Sequence, residues 1–291
     1  MANLKEIRSR ITTVNSTKQI TSAMKMVSAA KLRRAQDAIT QMRPYASKLQ
    51  EILVNLSGSL DVNENTYGKI RDENRVLIIS VTSNRGLCGA FNNNVIKEVK
   101  RLIKEHQNSE IKVLSIGKKS FDAFKKTTHV PGAGYPEEPY TIYDNLTFEE
   151  VSSIAVSVMD KFAEKKVDKV YLVYNSFKNA GVQILKSEQF LPIQKPEVDV
   201  ENLKQVEYIF EPGKKEIVEE LIPKSLKTQL YKAVLDSHAA EHGARMTAMH
   251  KATDNATDLV KELKLTYNKA RQASITNEIL EIVAGAEALN G

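Results

Sequence analysis

The stretch AQDAITQMRPYASKLQEILVNL, Ala35 to Leu56, decides the architecture, because Ala35, Ile39, Met42, Ala46, Leu49, Leu53 and Leu56 recur at alternating intervals of four and three residues. That alternation is the apolar seam of a coiled coil, in which side chains of one helix enter gaps on another. Towards the N-terminus, Leu4, Ile7, Ile11 and Val14 keep the same spacing. Between the two stripes lies Thr21 to Ala30 (TSAMKMVSAA), built of small and polar residues; the apolar register slips there and a local change of winding is expected. From Met1 to Ser57 there is no Gly and one Pro, Pro44, whose missing amide is expected to kink the helix near Thr40.

The far end of the chain repeats the pattern. Lys224 to Ala284 holds one Gly, Gly243, and no Pro. Met249, Ala252, Ala256, Leu259, Leu263, Thr266, Ala270 and Ala273 form a small-residue seam, and Ile275, Ile279, Ile282, Ala286 and Leu289 a further apolar stripe. Two such helices at opposite ends of one chain should pair antiparallel. At 1.5 Å per residue the first spans roughly 85 Å and the second, from about Lys214, roughly 110 Å, so the second overhangs. An overhanging apolar tip calls for a partner whose lining receives it, unless the helix folds back on its own domain.

Between the helices the period changes. Val76–Val81 (VLIISV), Ile111–Ile116 and Val170–Tyr174 read as strands, and Asn92–His106 and Thr147–Glu164 as helices, which makes a small Rossmann-like α/β domain with a mostly parallel sheet. Pro131 to Pro139 reads as a loop, and Leu191 to Val200 as a linker into a short Tyr208 to Gly213 approach to the last helix. The fold expected is therefore α/β plus a long antiparallel coiled coil. Its divisions are 1–57, 75–195 and 210–291, the first and last forming one shaft.

Composition bounds the chemistry. Hydrophobic residues at 42% and charged residues at 27% describe a chain able to fold, and the absence of Trp leaves it lean in large aromatics. One cysteine, Cys88, rules out an intramolecular disulfide and a thiolate-rich metal site. No apolar run reaches membrane-spanning length, and the basic N-terminus runs straight into the helical pattern, so a soluble chain without a cleavable leader is expected. Met1 to Ser57 carries ten Lys or Arg against three Asp or Glu, while the rest carries 32 against 33, so the whole positive excess sits in the first helix. Tyr45 is the only aromatic there, which leaves no base-stacking platform; no nucleic acid is expected, and the charge suits an acidic protein surface or a plain solvated face.

Three motifs invite an enzymatic reading. Arg85-Gly86-Leu87-Cys88-Gly89 follows a strand and precedes a helix, but Cys88 and the lack of a third glycine break the dinucleotide fingerprint, and a turn of small residues is the better reading. Ile116-Gly117-Lys118-Lys119-Ser120 resembles the end of a phosphate loop, yet Lys119 holds the hydroxyl position and Lys112 the first-glycine position. His238-Ala239-Ala240-Glu241-His242 matches the inverted zinc-protease pattern with both histidines on one helix face, but a catalytic zinc needs a third ligand and a cleft. Cys88 has no histidine near it in sequence to activate it as a nucleophile. No cofactor or metal is expected. The readings that the residues by themselves leave open are a static coiled-coil scaffold, which would bind partners without changing their catalysis, and, less favoured, a zinc hydrolase.

The same segments carry a family resemblance over nearly the whole chain. IRSRITTVNSTKQITSAMKMVSAAKLRRAQ (Ile7 to Gln36), TSNRGLCGAFN (Thr82 to Asn92), ARMTAMHKATDNA and YNKARQASITNEILEIVAGAEAL resemble the gamma subunit family of bacterial F-type rotary ATP synthases. The departures are small: Asn84 where the family often has Asp, Ala90 where Gly is common, Ser22 where Lys is common. The resemblance implies a non-catalytic rotor shaft in a ring of three alpha and three beta subunits, coupling proton flow to ATP synthesis or hydrolysis. Its foot would meet the epsilon subunit and the membrane c-ring. Residue by residue, it implies that Met24 and Lys25 meet a beta-subunit lever, and that Arg271, Gln272 and Thr276 engage a beta-subunit catch. Ile275, Ile279, Ile282, Val283, Ala286 and Leu289 would turn as an apolar bearing, and Tyr208 and Glu211 would face the c-ring and epsilon. The implied setting is peripheral, on the cytoplasmic face of the bacterial inner membrane. The two-cysteine redox control of chloroplast forms is not expected with Cys88 alone.

Overall fold

A computed structural model of the chain describes residues 4–57, 66–193 and 213–290; the side chains of residues 50, 53–57, 214–218 and 287–290 lie outside the description. Helix α1, Leu4–Ser57, and the last helix, Lys214–Asn290, bracket a sheet with its own helices. In chain order these inner elements are β1 (Arg75–Val81), α2 (Phe91–Glu105), β2 (Glu110–Ile116), α3 (Lys118–Phe124), a short 3-10 turn (Pro139–Tyr143), α4 (Phe148–Ala163), β3 (Lys169–Asn179) and β4 (Val182–Leu191); the last helix is α5. By contact density the chain separates into two compact units, Met1–Ser28 with Met246–Gly291, and Ala29–Arg245. Both terminal helices therefore contribute to each unit, whereas the division at 57, 75, 195 and 210 follows element type.

In the larger unit the sheet runs β2-β1-β3-β4, with β1 parallel to β2 and β3, and β4 antiparallel to β3. Strand β1 shows why: alternate side chains leave on opposite faces, and both faces are covered. Val76 and Ile78 pack with Val95, Val99 and Leu102 of α2 on one side. Leu77, Ile79 and Val81 pack with Ile154, Val158 and Phe162 of α4 and with Leu226 and Leu230 of α5 on the other. Helix α4 begins at Thr147, whose hydroxyl accepts from the Glu150 amide, with Glu149 and Glu150 in the first turn, a start that suits the helix dipole. Strand β4 and helix α3 extend the sequence reading. Asn179 Oδ1 accepts from the amides of Gly181 (3.0 Å) and Val182 (2.8 Å) to turn β3 into β4.

The smaller unit pairs the two end helices antiparallel. Thr253 Oγ1 lies 2.8 Å from Thr21 Oγ1, and Lys25 Nζ lies 3.5 Å from His250 Nδ1, so partners descend in α5 as they ascend in α1. The expected slip of register in α1 is absent. Leu4, Ile7, Ile11, Val14, Lys18, Thr21, Lys25, Ser28, Leu32, Ala35, Ile39, Met42, Ala46 and Leu49 are all buried or half-buried, at unbroken three and four spacing. The seam continues through Lys18 to Ser28 on polar side chains, which is why an apolar count loses it. Helix α1 continues through Pro44 to Ser57, with the proline on an exposed position. Of the expected α5 seam, Met249, Ala252, Ala256, Leu259, Leu263 and Ala270 are buried or half-buried, whereas Thr266 and Ala273 are exposed. Thr253, Val260, Tyr267 and Ser274 are sheltered as well, so the seam passes from Thr266 and Ala273 to Tyr267 and Ser274 in its last turns.

Candidate functional site

In an open parallel sheet, ligands enter at the carboxyl ends of strands where the order reverses. Here that point lies between β1 and β3, beside the loop Thr82–Ala90, and α5 fills it. Cys88 and Phe91 pack against Ala240, Ala244 and Phe177. Arg245 donates to the carbonyls of Gly86 and Arg85. The loop is closed on itself as well: the Ser83 amide donates to Asn92 Oδ1 at 2.9 Å, and Asn92 Nδ2 donates to Ser83 Oγ at 2.9 Å. Burial pushes the Cys88 thiol up, so it is held as a neutral, packed side chain. The resemblance of Gly117-Lys118-Lys119-Ser120 to a phosphate loop ends in the same way. The amides of Lys118, Lys119 and Ser120 donate to Asn84 Oδ1 (2.9 Å), Ser83 O (3.1 Å) and Thr82 Oγ1 (2.9 Å).

The histidine pair is brought together as its spacing implied. His238 and His242 approach with their Nε2 atoms 3.1 Å apart, one ring donating to the other. Tyr143 stacks on His238 with ring centroids 5.9 Å apart. Glu241 turns away to Arg245, with Oε1 and Nη2 2.5 Å apart. Among the described residues no group of three or more His, Cys, Asp or Glu is placed to hold a metal. Burial lowers both histidines, His238 to about 4 and His242 to about 3, so the pair is neutral near pH 7. Burial also raises Glu241, against the opposing pull of Arg245.

In the smaller unit, Met24 and Lys25 are half-buried, and Lys25 faces His250 across the seam, with His250 Nδ1 3.4 Å from Asp254 Oδ2. The apolar surface at this level belongs to residues passed over in the sequence: Ile20, Met26 and Val27 are all more than half exposed. Their signal was available, as large apolar residues off the three and four seam. Arg8, Arg10, Arg33 and Arg34 keep the first helix basic on its exposed positions.

Beyond Ser274 the pairing of α5 ceases. Ile275, Ile279, Ile282 and Val283 are exposed, Ile282 to 71%, and Ala286 is exposed too. Leu280 joins them at 60%, a tip residue absent from the sequence reading. Arg271, Gln272 and Thr276 are exposed just before or within this tip, with Thr276 Oγ1 donating to Gln272 O at 2.9 Å. The side chain of Leu289, and Tyr208 and Glu211 entirely, lie outside the described residues. No helix among the described residues is long and apolar enough to cross a membrane. So many bare aliphatic side chains on one helix end mark an interaction surface.

Comparison with known proteins points the same way. The sequence profile of the family described as ATP synthase matches residues 3–289. The chain is 60% identical over 292 residues to the ATP synthase gamma chain of Flavobacterium johnsoniae, with 100% of each chain covered. It is 59% identical to that of Flavobacterium psychrophilum with the same coverage. A chain in the Euglena gracilis mitochondrial ATP synthase, OSCP/F1/c-ring in rotational state 3, is 23% identical with a TM-score of 0.64, covering 98% of this chain and 94% of that one. A chain in the central stalk/c-ring structure of the Tetrahymena thermophila mitochondrial ATP synthase is 24% identical with a TM-score of 0.55, covering 80% and 99%. These two share the fold of terminal helices around a sheet. With its whole length matched by full-length relatives, the chain belongs to the ATP synthase gamma family.

Proposed function

We propose that this chain is the non-catalytic central rotor shaft of a bacterial F-type ATP synthase, coupling ion flow through a membrane sector to catalysis in a surrounding ring of three alpha and three beta subunits. The observation that carries this is the bare aliphatic tip of α5 on a chain whose family membership spans its full length. A side chain such as Ile282 left in water forfeits about 25 cal/mol for each Å² of apolar area that a sleeve would cover. A shaft lacking threefold symmetry shows each of three equivalent catalytic sites a different face, so each holds a different affinity, and rotation passes those states around the ring. This is coupling by differential contact, and the chemistry belongs to the ring.

In this reading Met24 and Lys25, with the exposed Ile20, Met26 and Val27 beside them, meet the beta lever, and the basic exposed positions of α1 meet its acidic groups. Arg271, Gln272 and Thr276 engage the catch; Ile275, Ile279, Ile282, Val283, Ala286 and Leu289 form the bearing. Tyr208 and Glu211 meet epsilon and the c-ring on the strength of the resemblance alone. Membrane association is then indirect, at the cytoplasmic face of the inner membrane. The test is the native mass and ATPase activity of what co-purifies with a tagged copy from gently solubilised membranes. One copy per three alpha and three beta subunits, active while the isolated chain is inert, is expected; an isolated chain that hydrolyses ATP would overturn the reading.

A further inference from the structure

Two kinds of contact hold α5 to the α/β part of the larger unit. Ile222, Leu226, Leu230, Ala233 and Val234 lie in the apolar layer with α4. Such packing fixes which face of the helix looks inward, but it is set by area and shape, so it yields more gradually to a small turn of the helix about its own axis than a directed hydrogen bond does. Polar contacts follow along the helix: Ser176 Oγ donates to Asp236 Oδ2 at 3.1 Å and Tyr143 stacks on His238. Three turns beyond Val234 they end in a clamp on two consecutive carbonyls. Arg245, only 8% exposed, sends Nη1 to Gly86 O and Nη2 to Arg85 O at 3.3 Å, while Glu241 Oε1 holds the same guanidinium at 2.5 Å. On the same stretch, Gly243 sits so close to the β3–β4 turn that a Cβ there would stand 3.2 Å from Ala180 Cα and 3.3 Å from Ala180 O. The loop that receives the arginine is itself braced by the Ser83–Asn92 pair and by Leu87 and Gly89 at φ of 64° and 61°. A planar guanidinium fork on two consecutive carbonyls is directional where aliphatic packing is not.

We propose that Arg245, seated on the Arg85 and Gly86 carbonyls and aligned by Glu241 and the Gly243 notch, is the positioning residue that locks α5 in azimuth to the α/β part. Torque then enters the helix there without slip. The proposal rests on the rotor reading above, and it adds a load path that the partner contacts do not supply. From Arg245 the backbone hydrogen bonds of one unbroken helix carry the twist onward to Asn290.

The experiment uses the assembled catalytic complex with its ring fixed to a surface and an optical probe on the α/β part, attached through Lys166→Cys. Cys88 is buried and does not compete for the label. The readout is the angular variance of the probe with turnover stopped, which varies inversely with torsional stiffness. Arg245→Ala is expected to raise the variance at least twofold, and Arg245→Lys, with one donor group in place of the fork, to raise it by a smaller factor. If the alanine variant does not assemble, the lysine variant alone decides. Unchanged variance in an assembled variant complex overturns the proposal even if its melting temperature falls, since that is the signature of a residue that only stabilises the fold. A parent complex whose probe never rotates on ATP would overturn the rotor reading, and the lock with it.

Discussion

A Cβ placed on Gly117 would stand 2.0 Å from the carbonyl oxygen of Thr82 and 2.6 Å from its hydroxyl. The two residues directly follow the paired strands β2 and β1, and the Thr82 hydroxyl accepts the Ser120 amide in the first turn of α3. Gly117 also holds φ at 118°, a region L side chains rarely enter. Gly117→Ala should therefore cost about 3 kcal/mol or more, because the backbone cannot yield without breaking the strand end. Urea unfolding of the full chain followed by circular dichroism measures it; a loss under about 1 kcal/mol would contradict this account.

The neutral pair His238–His242 makes stability depend on pH in a stated direction. The native rings bind a proton only near pH 4 and 3, whereas unfolded histidines do so near 6.5. Above about 6.5 neither state is protonated and the pair contributes nothing to the slope. As pH falls towards 4 the unfolded chain takes up protons that the native chain refuses, so stability falls by an amount on the order of a few kcal/mol. Glu241, raised by burial, works in the opposite sense nearer its own titration, and the charges of Lys31, Arg85 and Arg245 surround the site. His242→Gln should flatten the slope of stability between pH 6.5 and 4.5, measured by thermal melting across that range; an unchanged slope would remove the pair from the account.

Thr21 and Thr253 meet inside the coiled-coil seam at 2.8 Å. Thr253→Val keeps the shape but leaves the Thr21 hydroxyl one partner short, and should cost about 1 kcal/mol. The double variant Thr21→Val, Thr253→Val removes both polar groups and fills the layer with methyls, so its cost should be smaller than the sum of the single ones. A double-mutant cycle by denaturant melting decides: additive costs would mean that the two hydroxyls do not interact.

Ile282 stands bare at 71% exposure, so a charge there disturbs nothing within the chain. Ile282→Glu should leave the unfolding free energy of the isolated chain within about 0.5 kcal/mol of the parent. In the complex the same carboxylate would be buried in an apolar sleeve without a partner. The yield of intact alpha and beta assembly on gentle purification should then fall several-fold, and equal yields would argue that the tip is not enclosed.

The parts legible in the sequence are those where burial is uniform. Val76 to Val81 is apolar but for Ser80 because α2 and α4 cover both faces, and the ends of the α1 seam are aliphatic. Legibility failed where polar residues do a buried job. Lys18, Thr21, Lys25 and Ser28 continue the α1 seam, and an apolar count reads them as an interruption. In α5, Tyr267 and Ser274 are sheltered where the small-residue count points to Thr266 and Ala273, which are exposed. Strand β4 escaped because it is an edge: Val182 and the run Ile184 to Ser187 are exposed, mixing apolar and polar residues without a uniform buried pattern. Rejection of the glycine and lysine motifs as nucleotide sites rested on missing residues, and the structure adds that chain atoms already occupy the amides and carbonyls concerned. Arg245 was invisible, since its partner carbonyls lie 159 and 160 residues earlier and only the fold brings them close.

The pairing of Thr21 with Thr253 sets a timetable for biosynthesis, because 232 residues separate the partners. At about 5–20 residues per second a ribosome needs roughly 10–50 s to deliver the second helix after the first has emerged. For that interval Leu4, Ile7, Ile11 and Val14 lack the helix they pair with, so α1 is made well before α5 and yet cannot be finished until α5 arrives. Lys18, Thr21, Lys25 and Ser28 keep the middle of the waiting seam polar, while Ile20, Met26 and Val27 stay bare on the faces beside it before and after pairing.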